Sequence, residues 1–146
     1  QLNLLTGPMY FIYKIISVIN LCEKMQRKYS KFNFVPIFWM ASEDHDFEEI
    51  KSFHSNGKTY TWDIKSKGPV GNLNTETLKN IFNKNIYIPD FFKDAYSSSS
   101  SLSEAVRKYM NYLFGEYGLV IIDPNSKNLK KNINPMIIVE IVTCII

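Results

Sequence analysis

Cysteine is nearly absent from this chain. It holds two in 146 residues, Cys22 and Cys144, far apart and without a Cys-x-x-Cys pair. That spacing excludes a disulfide framework and a structural zinc site, and it suits a reducing, cytoplasmic compartment. Histidine is equally scarce. Its two copies, His45 and His54, are not at helical spacing, so no protein-caged metal is expected. No Gly-x-Ser-x-Gly occurs and neither cysteine has a nearby histidine, which leaves nucleophilic triads unsupported. No apolar run approaches the ~20 residues that span a bilayer; the longest, residues 136–146, is interrupted by Glu140. No charged-then-apolar leader opens the chain. The net charge of +3 comes from scattered lysines with no Arg-rich stripe or RNA-binding motif, so neither nucleic acid nor a membrane is an expected partner. No internal repeat of roughly 20–50 residues is visible.

What is present is enough for a folded domain. The composition is 45% hydrophobic and 14% aromatic, which argues against disorder. A single domain of this length buries roughly two-thirds of its unfolded surface.

Residues 1–7 read as a loop. Pro8 suits the first helical position, with Thr6 or Gly7 as cap. Phe11, Ile12, Ile15, Ile16, Ile19, Cys22 and Met25 then recur with a helical period to about Tyr29, with Lys14, Glu23, Lys24 and Arg27 on the other side. Residues 34–40, FVPIFWM, form a continuous apolar run of the kind found in parallel strands covered on both faces. Asn56-Gly57 between FHS and KTYTW is a strong hairpin signal. About 50–55 and 58–64 should therefore pair, and with the turn at Gly68, Pro69 and Gly71 they make an inserted β-ribbon over about 50–72. Asn74 or Thr75 caps a short helix to about Asn83, and 89–96 is another. The five serines 97–101 read as a flexible loop, because serine supplies turn and cap hydrogen bonds but little burial. Ser101 or Ser103 caps a helix through Val106, Tyr109, Met110, Leu113 and Phe114, closed by Gly115 and Gly118. Residues 119–122, LVII, are a second buried strand, ending in the turn Asp123-Pro124-Asn125. A last amphipathic helix starts near Ser126 or Asn128. Trp39, Trp62, Phe34, Phe38 and the Tyr10–Tyr13 face of the first helix read as core or ribbon packing, and His54 as a ribbon surface residue. This order is the α/β pattern. A further strand is expected upstream of Gln1, and both ends read as those of a piece of a longer protein.

Two stretches carry the chemistry. Glu43, Asp44, Asp46, Glu48 and Glu49 crowd with His45 into seven residues. Removing these five from the 14 acids leaves nine against 17 bases, so negative charge is segregated. In open α/β sheets, ligands bind beyond the carboxyl ends of the strands, where this loop and Asp123 both fall. Like charges so close repel and require a cation: a metal such as Mg²⁺ arriving with nucleotide phosphates, a substrate ammonium, or a lysine. The plainer reading makes Asp46-x-x-Glu49 a capping box before a short helix, with Glu48 and Glu49 as solvated surface. Function is assigned to Glu43, Asp44, His45 and Asp46. The other stretch, QLNLLTGPMYFIYK, feeds a loop with Asn3, Thr6 and Gly7 into a helix start suited to anions. Lys14 lies two turns in. The plainer reading is an ordinary helix start. The two stretches are expected to converge on one crevice able to hold a zwitterion.

Four blocks, QLNLLTGPMYFIYKI, FVPIFWMASEDHDFEEI, GPVG and AYSSSSSLSEAVRKYMNYLFGEYGLVIID, together resemble the bacillithiol-biosynthesis cysteine-adding enzymes, a cysteine ligase family, in the flavour of its Bacteroidetes branch. They cover most of residues 1–130 in the right order. Beyond about Lys131 the resemblance fades, so 132–146 stand apart as a doubtful end. The resemblance implies an α/β, Rossmann-like parallel sheet core similar to that of HIGH-type nucleotidyltransferases. This chain, 1–146, would be a partial core lacking the first strand with its Thr-Gly-His or Thr-Gly-Gln lead, and lacking the C-terminal coiled coil through which the full-length relative would form a homodimer. The implied reaction adds cysteine to the amine of glucosaminyl-malate. Forming that amide needs an activated carboxylate, normally through ATP, with Mg²⁺ as its companion. Asn3, Thr6, Gly7, Gln1 and Lys14 would hold a phosphate or carboxylate. Glu43, Asp44 and Asp46 would hold an ammonium, and His45 or a neighbouring carboxylate would be the base. Ser98 and Ser99 would meet sugar hydroxyls or phosphate. The alternatives are a nucleotide-binding α/β module without turnover, and a nucleotidyltransferase-like enzyme with another acceptor.

Overall fold

The computed structural model describes residues 2–82 and 86–132. Gln1, residues 83–85 and residues 133–146 lie outside the described residues, and with them the predicted roles of Gln1, the predicted end of the short helix and nearly all of the doubtful C-terminal stretch.

The first long helix, α1 (Met9–Lys28), buries Ile15 and Ile19 and carries Arg27 and Lys28 in its last turn, where cations suit the carbonyl end of the helix dipole. Pro8 stands at the cap position, one residue earlier than predicted, and no side chain caps the helix. The return to the sheet is held by one side chain. Gln26 donates to the Phe32 carbonyl at 2.8 Å and accepts from Phe34 N–H at 3.1 Å. Strand β1 (Ile37–Trp39) follows. Phe38 packs edge-on against Phe11 of α1, with ring centroids 5.2 Å apart.

After β1 come the short helix α2 (Phe47–Ile50), the ribbon strands β2 (Ser52–Ser55) and β3 (Lys58–Thr61), α3 (Glu76–Phe82), α4 (Asp90–Ser97), α5 (Leu102–Phe114), β4 (Val120–Ile122) and α6 (Lys127–Asn132). β1 and β4 pair in parallel, Ile37 with Val120 and Trp39 with Ile122. Everything from α2 to α5 is therefore the crossover between two parallel strands, as the α/β reading requires. The ribbon is antiparallel and turns at Asn56-Gly57, both with positive φ, as a tight hairpin turn demands. It is shorter than predicted, because Ile50 closes α2 and the chain leaves the ladder after Trp62 N–H bonds the Lys51 carbonyl.

The core is largely made by the crossover. α5 buries Leu102, Ala105, Val106, Tyr109, Met110 and Phe114 on one stripe. Trp62 is 1% exposed, stacks edge-on with Phe47, and donates its indole N–H to Thr77 Oγ1 at 2.7 Å. Three packing expectations need correction. β1 is not covered on both faces: Phe38 is buried, but Ile37 and Trp39, with Val120 beside them, are more than a third exposed. Among the described residues β1 has one parallel neighbour and one covered face, which makes an alternating strand. Trp39 and the Tyr10–Tyr13 face of α1 are accordingly exposed rather than core. The serine run is an ordered junction, described below. No helix among the described residues is long and apolar enough to cross a membrane.

Candidate functional site

The acidic loop leaves β1 at its carboxyl end through a strained residue. Ala41 has φ +47, left-handed backbone that a residue with a Cβ rarely adopts. Ser42 is fully buried, and its hydroxyl donates a short hydrogen bond to the Asp123 carboxylate. The same Asp123 oxygen accepts from Asn125 N–H at 3.0 Å. Two backbone bonds then knit the loop to the GPVG segment: Gly71 N–H to the Ser42 carbonyl at 2.9 Å and Val70 N–H to the Asp44 carbonyl at 2.7 Å. Asn125 donates across to the Asn72 side chain at 3.3 Å. The carboxyl ends of both parallel strands and one loop of the crossover thus meet at Ser42, Gly71 and Asp123. Gly71 is required there by space alone, since a Cβ would lie 2.6 Å from Ser42 Cβ.

The acids themselves are partly spoken for. Asp44 is half-buried, and its Oδ1 accepts from His45 N–H at 2.7 Å and Asp46 N–H at 3.1 Å, an Asx turn. Asp46 caps α2, accepting from Glu49 N–H at 3.3 Å, as the capping-box pattern predicts. Glu48 pairs with Lys51. Glu43, His45 and Asp46 face solvent. Backbone donors and Lys51 therefore supply much of the compensation that the crowding seemed to demand of a bound cation. His54 is exposed on β2.

The first loop is strained more heavily. Leu5, Thr6 and Gly7 have φ of +50, +72 and +65 in succession. Gly7 N–H bonds the Leu4 carbonyl at 2.9 Å, and the Asn3 side chain lies over Gly7 so closely that a Cβ would meet its Cγ at 2.6 Å. Leu5 N–H is taken by the Tyr96 hydroxyl at 3.1 Å. These loop amides are thus engaged within the protein. The donors that remain for an anion are the first two amides of α1 and the half-buried side chains of Asn3 and Thr6, since Phe11 N–H bonds the Pro8 carbonyl at 3.0 Å. Lys14 lies with its ammonium 5.6 Å from the centre of the Tyr10 ring, on the exposed side of α1 and one turn short of the loop. Among the described residues, no hydrogen bond or ion pair joins Asn3–Gly7 to Glu43–Asp46: the first loop is tied to α4 and α5, the acidic loop to 70–72 and 123–125.

The serines form a capped joint between α4 and α5. Ser98 Oγ donates to the Asp94 carbonyl at 2.6 Å, Lys108 donates to the Ser98 carbonyl and hydroxyl, and Ser101 Oγ caps α5 by accepting from Glu104 N–H at 3.4 Å. Glu104 reaches back to Ser100 N–H and Oγ. Those bonds hold its carboxyl below the ordinary carboxylate range, foremost the Ser100 amide, then Lys108, against a smaller opposing effect of burial. The buried hydroxyl oxygen of Ser99 has no hydrogen-bond partner among the described residues, and its carbonyl accepts from Thr75 at 2.9 Å. Ser42, Gly71, Asn72 and Asn125 were not singled out by sequence reasoning as site residues; the turn Asp123-Pro124-Asn125 after a buried strand was the signal that leads to them.

Among the described residues outside the hairpin turn, the non-glycine residues with positive φ are Leu5, Thr6 and Ala41. All three lie in the two loops that the sequence marks for chemistry. Strained backbone of this kind concentrates at functional sites.

Residues 1–144 match the family model described as bacillithiol biosynthesis BshC, N-terminal Rossmann-like domain. A Flavobacterium psychrophilum protein named "Putative cysteine ligase BshC" is 50% identical over 147 aligned positions, covering 94% of this chain and 28% of its own length. Proteins of the same name from Flavobacterium johnsoniae and Cytophaga hutchinsonii are 46% and 47% identical, covering 92% and 94% of the chain and 27% and 26% of their own lengths. The chain therefore spans little more than a quarter of these curated relatives.

Proposed function

The chain belongs to the bacillithiol biosynthesis BshC family, within its N-terminal Rossmann-like domain, and from that premise we propose that the whole protein joins cysteine to the amine of glucosaminyl-malate through an amide bond. The observation that carries this reading is 50% identity across 94% of the chain to a relative named as a cysteine ligase. Among the described residues, left-handed, non-glycine backbone occurs in the two candidate loops and one hairpin turn, which supports the placement of the chemistry.

In this reading the new C–N bond forms between the carboxyl carbon of cysteine and the glucosamine nitrogen. The displaced carboxyl oxygen leaves with the activating group, for which ATP with Mg²⁺ is the pair to test. Asp44 and Asp46 each have one oxygen on backbone amides, which fixes the carboxylates while the loop presents them, with Glu43, to an ammonium. The attacking amine must first lose a proton. His45 is exposed, and only its backbone enters the Asx turn, so its imidazole is available as the base. Asn3, Thr6 and the start of α1 take a carboxylate or phosphate, with Gly7 shaping the turn and Lys14 adding positive charge from the next turn. Ser98 and Ser99 are the weaker candidates for sugar hydroxyls.

The test uses a full-length relative supplied with cysteine, glucosaminyl-malate, ATP and Mg²⁺, with thiol product measured by mass spectrometry. Asp44→Asn, which removes a partner of the ammonium, and His45→Ala, which removes the base, should each lower turnover, the latter by about 100-fold or more, the usual worth of a positioned acid–base group. Near-normal turnover in both variants would remove these roles. Calorimetric binding of ATP without any product from the wild type would favour the nucleotide-binding module instead.

A further inference from the structure

Tyr96 and Tyr109 are buried, from α4 and α5 respectively. Their rings lie 6.0 Å apart and are walled by aromatics, Phe82 at 5.1 Å from Tyr96 and Phe92 at 5.0 Å from Tyr109. A phenylalanine would fill either place equally well as an apolar body, and a buried hydroxyl is unfavourable unless it is hydrogen-bonded. Both hydroxyls bond outward from the core to the same stretch of backbone. Tyr96 accepts from Leu5 N–H at 3.1 Å and Tyr109 donates to the Asn3 carbonyl at 2.9 Å, with the Thr6 amide also against the Tyr109 oxygen. These bonds fall on Asn3, Leu5 and Thr6, where the run of three residues with positive φ begins. Burial raises both phenols far above their ordinary range, so each keeps its proton and Tyr109 remains a donor at any physiological pH.

We propose that Tyr96 and Tyr109 are positioning residues, whose hydroxyls hold Leu5, Thr6 and Gly7 in left-handed backbone and so fix where the Asn3 and Thr6 side chains meet the anionic end of a substrate. This rests on the reading of the first loop as ligand-binding. The clamp reaches across more than ninety residues of sequence and makes the geometry of the first loop depend on the α4–α5 pair rather than on its own sequence. No cap on α1 does this work, since Pro8 offers neither a side-chain acceptor nor an N–H.

The experiment takes the full-length protein with Tyr96→Phe, Tyr109→Phe, and Val106→Ala as a core variant on the same buried stripe of α5 that removes no hydrogen bond to the loop. Each is assayed for thermal midpoint, for hydrogen exchange in the peptide covering residues 3–8, and for kinetics with cysteine, glucosaminyl-malate and ATP. Both Phe variants should exchange that peptide about tenfold faster. They should also raise KM for one of the three substrates about fivefold with kcat changed less than about twofold, the signature of lost uniform binding. Val106→Ala should lower the midpoint and move neither readout. Exchange or KM in the Phe variants that matches Val106→Ala overturns the proposal, and so does faster exchange with unaltered KM. If the wild type forms no product, the ligase reading fails separately; the calorimetric Kd of glucosaminyl-malate then replaces KM, with the same outcomes deciding the clamp.

Discussion

A single missing methyl group can be required for two different reasons, and the glycines here separate them. Gly71 has ordinary backbone, yet a Cβ would lie 2.7 Å from the Ser42 carbonyl oxygen as well as against its side chain. Backbone cannot swing aside as a flexible side chain can. Gly57 has φ +72 with nothing within 4 Å of a Cβ, so its demand is conformational only. Gly71→Ala should therefore act as local overpacking, costing about 1–3 kcal/mol, and should disturb the acidic loop that Ser42 begins. Gly57→Ala should cost about 1 kcal/mol, the price of left-handed backbone for an L residue, and leave the loop intact. Denaturant midpoints give the two stabilities, and exchange of the peptide over residues 41–47 reports the loop. Equal loop disturbance in both variants would contradict the distinction. Asp44 and Asp46 are likewise governed by their immediate neighbours. Their crowding looked like an electrostatic problem in sequence, but each carboxylate has its own backbone donors, and hydrogen bonds to the charged form are what make such a cluster tolerable.

At the scale of elements, capping decides more than propensity. Ser97–Ser101 contains no residue able to build a core, yet it is ordered because Ser97, Ser98, Ser100 and Ser101 each bond at a helix end. The Glu104 carboxylate, bonded to Ser100 and paired with Lys108 at 3.1 Å, is the charged member of this joint. Because its folded-state pKa is depressed, its ionised form contributes stability that is complete above the ordinary carboxylate value and is lost as pH falls through the lower folded-state value. Glu104→Gln should accordingly be less stable than wild type at neutral pH, and the gap in denaturant midpoint should close as the pH is lowered past the ordinary carboxylate range. A gap that stays constant with pH would mean that the charge is not what the joint uses. The helices were legible in sequence because apolar period and caps are local: α1 and α5 fall close to the predicted positions, and Asp46 and Ser101 cap as their neighbours suggest. The strands were less so. An apolar run such as 34–40 reveals that a strand exists, but how many of its residues pair, and whether one face or two is covered, depends on partners far away in sequence. Only Ile37–Trp39 pair, and the seven-residue run had no local sign of that limit.

At the scale of the whole molecule, the fold is defined by contacts that sequence reading had no means to supply. The parallel pairing of β1 with β4 followed from the α/β order, and the turn after β4 pointed to the carboxyl ends of the strands. The meeting of Ser42, Gly71 and Asp123 did not follow, because a serine beside five acids gives no hint that it is fully buried. Nor did the clamp of Tyr96 and Tyr109 on the first loop, since aromatic residues at helical spacing read as core whether or not their hydroxyls are used. The consequence for the predicted crevice is concrete. Its two loops are positioned by separate supports, the acidic one by the strand ends and the other by α4 and α5. The support of the acidic loop can be tested as a coupling across the molecule. Ser42 and Asp123 are 81 residues apart, and their hydrogen bond ties the end of the first described strand to the end of the last. Ser42→Ala and Asp123→Asn should each destabilise the protein by about 1–3 kcal/mol, the cost of leaving a buried or charged partner unsatisfied. The double variant should lose less than the two combined, with a coupling of about 0.5–3 kcal/mol in a double-mutant cycle. Additivity within about 0.5 kcal/mol would mean that the two strand ends are held independently and that the short bond contributes nothing to their union. Coupling of the expected size would make Ser42 the residue through which the acidic loop is fixed to the sheet.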